Sequence, residues 1–177
     1  MKALAVVLLM VVLSLAVNSA MAAPDPLTDA ATALVTVTVD EIIEWAAANF
    51  EEIHLLTITA RGDAPEASKA LVLYTNCDLD IIADKTTAAR LTKTTDTLVT
   101  EYKLNYDFEA DGANTWGVPS TDWEDYTTFL GAGGSAVTHE TLDGAVNVTL
   151  SARASNAAGT LADAGDYTAT QTLTATF

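Results

Sequence analysis

Cysteine occurs once in 177 residues, at Cys77. A lone thiol closes no internal disulfide, so packing must hold the fold together. In the stretch "LVLYTNCDLDI" it lies in an apolar run, where a buried and inert thiol is expected. Basic residues are also scarce: eight Lys and Arg stand against 24 Asp and Glu, a formal net charge of −16. Such a surface repels phosphate backbones and anionic lipid, which argues against nucleic-acid binding and against docking on a membrane face. Acidity instead suits solubility, divalent cations or a salty environment, without choosing among them.

Catalytic signatures are lacking too. There are two histidines, His54 and His139, and neither HExxH nor a paired-cysteine metal pattern. No Gly-x-Ser-x-Gly elbow or phosphate-binding glycine loop occurs. Neighbouring acids such as Glu51-Glu52 and Glu124-Asp125 could in principle form a glycosidase pair. With 24 acids on one chain such neighbours are inevitable, and a solvated surface explains them more simply. The sequence reads as that of a non-enzyme.

What is present begins with "MKALAVVLLMVVLSLAVNSAMA". Lys2 precedes an apolar run from Ala3 to Val17, and Ala20-Met21-Ala22 offers a small-x-small cleavage site. This is the layout of a secretory signal peptide over residues 1–22, cut after Ala22. The run approaches membrane-spanning length, but the cleavage site and the turn-prone Pro24 and Pro26 favour removal over a retained anchor. No twin-Arg pair precedes it, and no cysteine stands near the cut to carry lipid. Export through the general secretory route leaves seven bases against 24 acids, a net −17, and no membrane attachment. Residues 23–31 read as a flexible leader and 32–177 as a single domain, long enough for a real core.

Twenty-seven threonines, with valines and leucines in two-residue steps, compose a pleated sheet rather than a helical bundle. "ALVTVTV" alternates Val35, Val37 and Val39 with Thr36 and Thr38 and predicts a strand. "ALVLYTNCDLDII", residues 70–82, predicts one long strand near the middle of a sheet. "DTLVTEYKLNYDF" places Leu98, Thr100, Tyr102, Leu104, Tyr106 and Phe108 on one face. "GAVNVTLSARAS" does the same with Val146, Val148, Leu150 and Ala152, and "SAVTHE" predicts a further short strand. The chain ends on "AGDYTATQTLTATF", where Tyr167, Ala169, Leu173, Ala175 and Phe177 share one face and five threonines the other. Turn-rich "RGDAPEAS", "EADGAN" and "GAGGS" separate these runs. The fold class expected is mainly β, an Ig-like antiparallel β-sandwich with one or two short helical turns. One such turn is expected over residues 41–50 of "DEIIEWAAANFEEIHLL", after a potential N-cap at Asp40. A long bulged strand is the other reading there. "STDWEDYTTFLGA" is the second helical-turn candidate.

Three motifs invite chemistry. Asp107, Glu109 and Asp111, followed by Gly112, have the opening spacing of a calcium loop. Val118 stands where an EF-hand needs its bidentate Glu, so only a partial site completed by Asn114 or Asp122 is open, against an acidic hairpin loop. Calcium is thus the single ion to consider, with no cofactor otherwise expected. Trp116, Trp123 and Tyr126 lie among carboxylates, the kind of platform on which sugar rings stack. The competing account is a satellite core pinning a long connection. Arg61-Gly62-Asp63 and the Asn147 sequon are weak signals, explained by an exposed turn and a strand face.

The signal peptide, the Thr- and Ala-rich strands and the ending "GDYTATQTLTATF" resemble secreted β-sandwich surface proteins. Fimbrial subunits, spore-coat-U-type proteins and biofilm-matrix fibre proteins commonly finish on a Gly-x-Tyr-like turn and an alternating final strand. Gly165, Tyr167, Leu173 and Phe177 carry that likeness here. Fimbrial subunits often hold a disulfide that a chain with Cys77 alone cannot form, so the likeness points to a general pilin-like or matrix-like subunit. It implies a secreted or cell-surface structural protein, a pilus, matrix-fibre or coat subunit whose partners are further copies or related surface subunits. Two stripes, Val35, Val37 and Val39 and Tyr167, Leu173 and Phe177, are the expected assembly strands, to be covered by the chain itself or by a partner. The alternative is a secreted carbohydrate- or calcium-binding module.

Overall fold

A computed structural model describes residues 31–108, 122–139 and 144–177. The expected signal peptide and most of the expected leader lie outside the described residues, as do Glu109, Asp111 and Trp116. The chain divides into two units, one ending at Val39 and the other running from Asp40 to Phe177. Of the first, residues 31–39 are described. They carry no helix or strand and are exposed throughout.

The second unit is mainly β. Its strands among the described residues are β1 (Ile43–Trp45), β2 (Glu66–Thr75), β3 (Leu79–Ala83), β4 (Thr92–Lys93), β5 (Asp96–Thr97), β6 (Val99–Phe108), β7 (Glu124–Asp125), β8 (Ser135–Val137), β9 (Ala145–Ser155) and β10 (Leu173–Thr176). Five form an antiparallel sheet in the order β1-β2-β9-β6-β7, and three form another in the order β10-β3-β8. Strands β4 and β5 make a separate ribbon, and among the described residues no sheet closes into a barrel.

Long two-residue alternation is what builds the centre. Along β9 every second residue, from Val146 to Ala154, is buried, and Leu98, Thr100, Tyr102, Leu104 and Tyr106 are buried in and before β6. The β6–β9 register sets Leu104 opposite Leu150 and Tyr106 opposite Val148, so the two apolar stripes coincide on one face. A shift of one residue would turn both stripes outward, which fixes the pairing strongly. On the other side of β9, Leu73 of β2 stands opposite Val146. One core cluster joins these residues to Leu79, Ile81 and Val137 of the second sheet, with Phe129 and Leu130 closing it. Each fully buried Leu or Val contributes about 1.5–3 kcal/mol relative to exposure.

The expected single strand over 70–82 is two strands in different sheets. The Thr75 hydroxyl donates to the Cys77 carbonyl at 2.8 Å and accepts from the Cys77 N–H at 3.2 Å, closing a turn over Asn76-Cys77-Asp78. Cys77 is therefore half-buried in a turn rather than inside a strand, its sulfur 3.5 Å from Thr75 Oγ1. Opposite this turn Gly144 adopts φ +67°, and its carbonyl accepts from the Thr75 N–H at 2.7 Å. A Cβ there would come 2.2 Å from the Thr75 oxygen, so glycine is required.

The helical turn expected over 41–50 is instead β1. Asn76 accepts from the Ile42 N–H at 2.8 Å and donates to the Asp40 carbonyl at 2.9 Å, holding the chain beside β2. Ile43 then pairs with Thr75 and Trp45 with Leu73. Alanine propensity is a weak preference, and a helix of ten residues is marginal on its own, so tertiary pairing prevails. The three alanines follow as bends. The one helical turn among the described residues is a 3₁₀ turn at Thr87–Ala89, capped by Thr86 Oγ1, which accepts from the Ala88 N–H. The second candidate, "STDWEDYTTFLGA", gives β7 and then a run of turns in which the Phe129 N–H donates to the Asp125 carbonyl at 3.0 Å.

Candidate functional site

The two expected assembly stripes have different fates. At the N-terminal side no ladder forms: residues 31–39 are not a paired strand, and Leu34, Val35, Val37 and Val39 are 92%, 87%, 87% and 69% exposed. A two-residue apolar stripe becomes a strand only when an edge supplies hydrogen bonds and a surface covers the valines. Free chains of this composition remain unpaired.

At the C-terminal side the strand is shorter than the alternation. Only Leu173–Thr176 pair, as β10 against β3, with Leu173 opposite Ala83 and Ala175 opposite Ile81. Leu173 and Ala175 pack on the core, whereas Phe177 is largely exposed. Tyr167 lies before the strand, and next to it Thr168 makes an isolated bridge with Thr92. The Tyr167 hydroxyl donates to the Asp96 carboxylate, 71 residues back in sequence, and sits 2.9 Å from the Asp163 carbonyl. The same carboxylate accepts from the Asp163 N–H at 2.5 Å, and Lys93 Nζ donates to the Ala164 carbonyl. Residues 163–168 are thus latched to the β4–β5 ribbon.

Titration of this latch has a defined sign. The Tyr167 hydroxyl, followed by the Asp163 N–H, holds the Asp96 carboxyl below its ordinary 3.8. Removal from water, then the Asp96 carboxylate, push the Tyr167 hydroxyl up to about 12. A depressed acid stabilises the folded latch above its unfolded value of 3.8 and loses that contribution as pH falls through the lower folded value. A raised phenol contributes below its ordinary 10.0 and loses the contribution as pH rises towards 12. The protection of the Asp163 and Thr168 amides against hydrogen exchange, relative to their intrinsic rates, should therefore stay high and level in between, fall on both flanks, and lose its acid flank in Asp96→Asn. An acid flank that persists in that variant would refute the assignment.

The aromatic platform is divided. Trp116 lies outside the described residues. Trp123 has the Arg153 guanidinium 4.7 Å from its ring centroid, and that guanidinium is paired with Glu101 at 2.8 Å. Tyr126 has Arg90 at 5.9 Å from its ring. A cation therefore occupies a face of each ring. The Glu101–Arg153–Trp123 group was not foreseen in the sequence. Its signal was present only in the register, which sets Glu101 directly across from Arg153 on the outer side of β6 and β9.

Of the calcium candidates, Asp107 falls at the end of β6, with its backbone opposite Asn147, while Glu109 and Asp111 lie outside the described residues. Among the described residues no cluster of three or more His, Cys, Asp or Glu is arranged to hold a metal ion. In "ARGDAP" the Asp63 carboxylate accepts from the Thr59 and Ala60 N–H groups at 2.8 and 2.7 Å, which closes an exposed turn. Those two bonds and the Thr59 hydroxyl hold its pKa below the usual carboxylate value. No helix among the described residues is long and apolar enough to cross a membrane.

Comparison with protein-family models, with curated proteins and with solved structures finds no match to this chain.

Proposed function

We propose that this protein is an exported structural subunit of a pilus, matrix fibre or coat, folded as an Ig-like β-sandwich and assembled by strand addition. The observation that carries this reading is the stripe Val35, Val37 and Val39, which alternates like a strand yet stands bare and unpaired. Single exposed apolar residues are ordinary, but four within six residues, in a chain this acidic, form a surface that association would cover. Ten residues, Ala30 to Val39, hold no charge, so nothing in them opposes burial against a neighbour. Inserted into the next subunit, such a segment makes a head-to-tail contact that does not close on itself, hence a fibre. Two antiparallel sheets sharing one core support the sandwich architecture.

Deletion of residues 23–39 is the test. Electron microscopy of the secreted full chain should show filaments, and the truncated chain should elute as single subunits with β-type circular dichroism. A truncated chain that still forms filaments would defeat the reading.

A further inference from the structure

Strand addition needs an acceptor, and the backbone accounting of the second unit narrows the choice. Resting on the strand-addition reading, we infer that residues 33–39 of a second copy pair with the open edge of β10, their valines closing over Leu173 and Ala175.

The Asp84 N–H donates to the Thr172 carbonyl at 2.9 Å. In an antiparallel strand a residue's N–H and C=O point the same way and alternate along the chain. Thr172, Thr174 and Thr176 therefore face β3, and Leu173 and Ala175 turn their main-chain groups to the far side. β10 ends its sheet on that side, and among the described residues nothing bonds those groups. Both side chains rest on the core only partly covered.

A second stretch lies over the same core without a ladder. Phe50, Ile53 and Leu55 pack against the cluster, while Glu52, His54 and Leu56 are exposed, a strand-like alternation. No main-chain N–H or C=O of residues 47–58 is hydrogen-bonded to another described residue; the ladder with β2 ends where the Ala46 N–H meets the Val72 carbonyl at 2.9 Å. Native chains leave few such groups unpaired unless water or a partner meets them. β10 and this stretch thus offer the core two strand-like walls with free hydrogen-bonding groups.

Charge separates this edge from its rivals. Natural sheets blunt their edges with charges or cover them. β1 carries Glu44, β7 is Glu124–Asp125, and the free side of β2 is crossed by the Lys69–Glu51 pair at 2.6 Å. β8 is three residues long, and the Tyr106 hydroxyl donates to its Ala136 carbonyl. By contrast Tyr167–Phe177 contains no Asp, Glu, Lys or Arg, and neither does Ile53–Ala60. In a chain with 24 acids, the unguarded edge is as free of charge as Ala30–Val39. Seven residues of donor span roughly 23 Å as a strand, enough to run the length of β10 and beyond.

The test uses the full secreted chain with Cys77→Ser, assembled into filaments and treated with a short bis-maleimide. Thr36→Cys or Thr38→Cys, on the threonine face of the donor, is combined with Thr174→Cys on β10, or with Glu44→Cys on β1 or Ala136→Cys on β8. Circular dichroism of each variant confirms folding. Cross-linked dimers and higher multiples through Thr174→Cys, with at least tenfold less product through the other two, are expected. Filaments whose cross-links run through Glu44→Cys or Ala136→Cys would overturn this acceptor and leave strand addition standing. Cross-links confined to single chains, or variants and parent alike without filaments, would overturn strand addition itself.

Discussion

Phe129→Ala is expected to lower the unfolding free energy by about 3–5 kcal/mol. Among the described residues Phe129 is the largest side chain with no exposed surface, and its ring centroid lies 5.5 Å from that of Tyr102 on β6. It is carried on the turn after β7, a two-residue strand whose ladder with β6 involves only Glu101 and Tyr102. Besides that ladder, residues 124–133 are held to the sheet by the Tyr126 N–H, which donates to the Thr100 carbonyl at 3.1 Å, and by the buried side chains of Phe129 and Leu130. Truncation removes the contact with Tyr102 and leaves a cavity in the core cluster. A domain of this size has about 5–15 kcal/mol in total, so the loss is a large fraction. Urea unfolding followed by tryptophan fluorescence should show the midpoint falling with the slope unchanged. Leu56→Ala is the comparison: that side chain is 80% exposed, and the cost should stay within about 0.5 kcal/mol. Equal midpoints for the two variants would mean that the ring is not part of the core.

Tyr102 shows why that core is specific as well as greasy. Its hydroxyl donates to the Ala89 carbonyl at 2.7 Å, and burial pushes its pKa up to about 12. The 3₁₀ turn is thereby tied to the central sheet by a hydrogen bond whose loss would leave a buried carbonyl unmet.

How much of this was legible in the sequence depends on the length of the alternation and on whether a partner lies nearby. β6 as far as Tyr106, and β9 throughout, could be read residue by residue, because a long alternation with one buried face has a single solution; the side chain of Phe108 lies outside the described residues. The break between β2 and β3 was hidden: Leu71, Val72 and Leu73 run into Leu79, Ile81 and Ile82 with the polar Asn76-Cys77-Asp78 between, and only the Thr75 side-chain bonds make that triplet a turn. At 41–50 local propensity pointed to a helix, and Asn76, more than thirty residues later, decided for a strand. The final stripe runs from Tyr167 to Phe177 with Gln171 as its one polar member, but Asp96 takes Tyr167 out of it. The Asn76 and Asp96 bonds are long-range contacts, and no local pattern encodes them. Of the candidate site, the two stripes were legible as apolar surfaces, while their unequal coverage was not.

That inequality underlies the second large effect. Val35→Asp combined with Val37→Asp should leave folding stability unchanged within about 0.5 kcal/mol, because both side chains already stand in water in the free subunit. Assembly should suffer far more. Covering each valine contributes roughly 1.5–3 kcal/mol, and every 1.4 kcal/mol is about tenfold in an equilibrium constant, so the pair is worth about 100-fold or more in the concentration needed for polymer. Each new carboxylate must also be buried, next to subunits with 24 acids and seven bases after the expected cleavage, which adds desolvation and repulsion to the loss. Val35→Thr with Val37→Thr keeps strand propensity while giving up apolar area, so its threshold should fall between parent and double aspartate. Light scattering against protein concentration gives all three thresholds. The order distinguishes burial from tethering: if the residues served only as a flexible spacer, all three chains would polymerise at the same concentration. A graded series would require that the valines meet a surface on another molecule, because the variants differ in what those side chains lose on leaving water and not in the fold of the subunit that carries them.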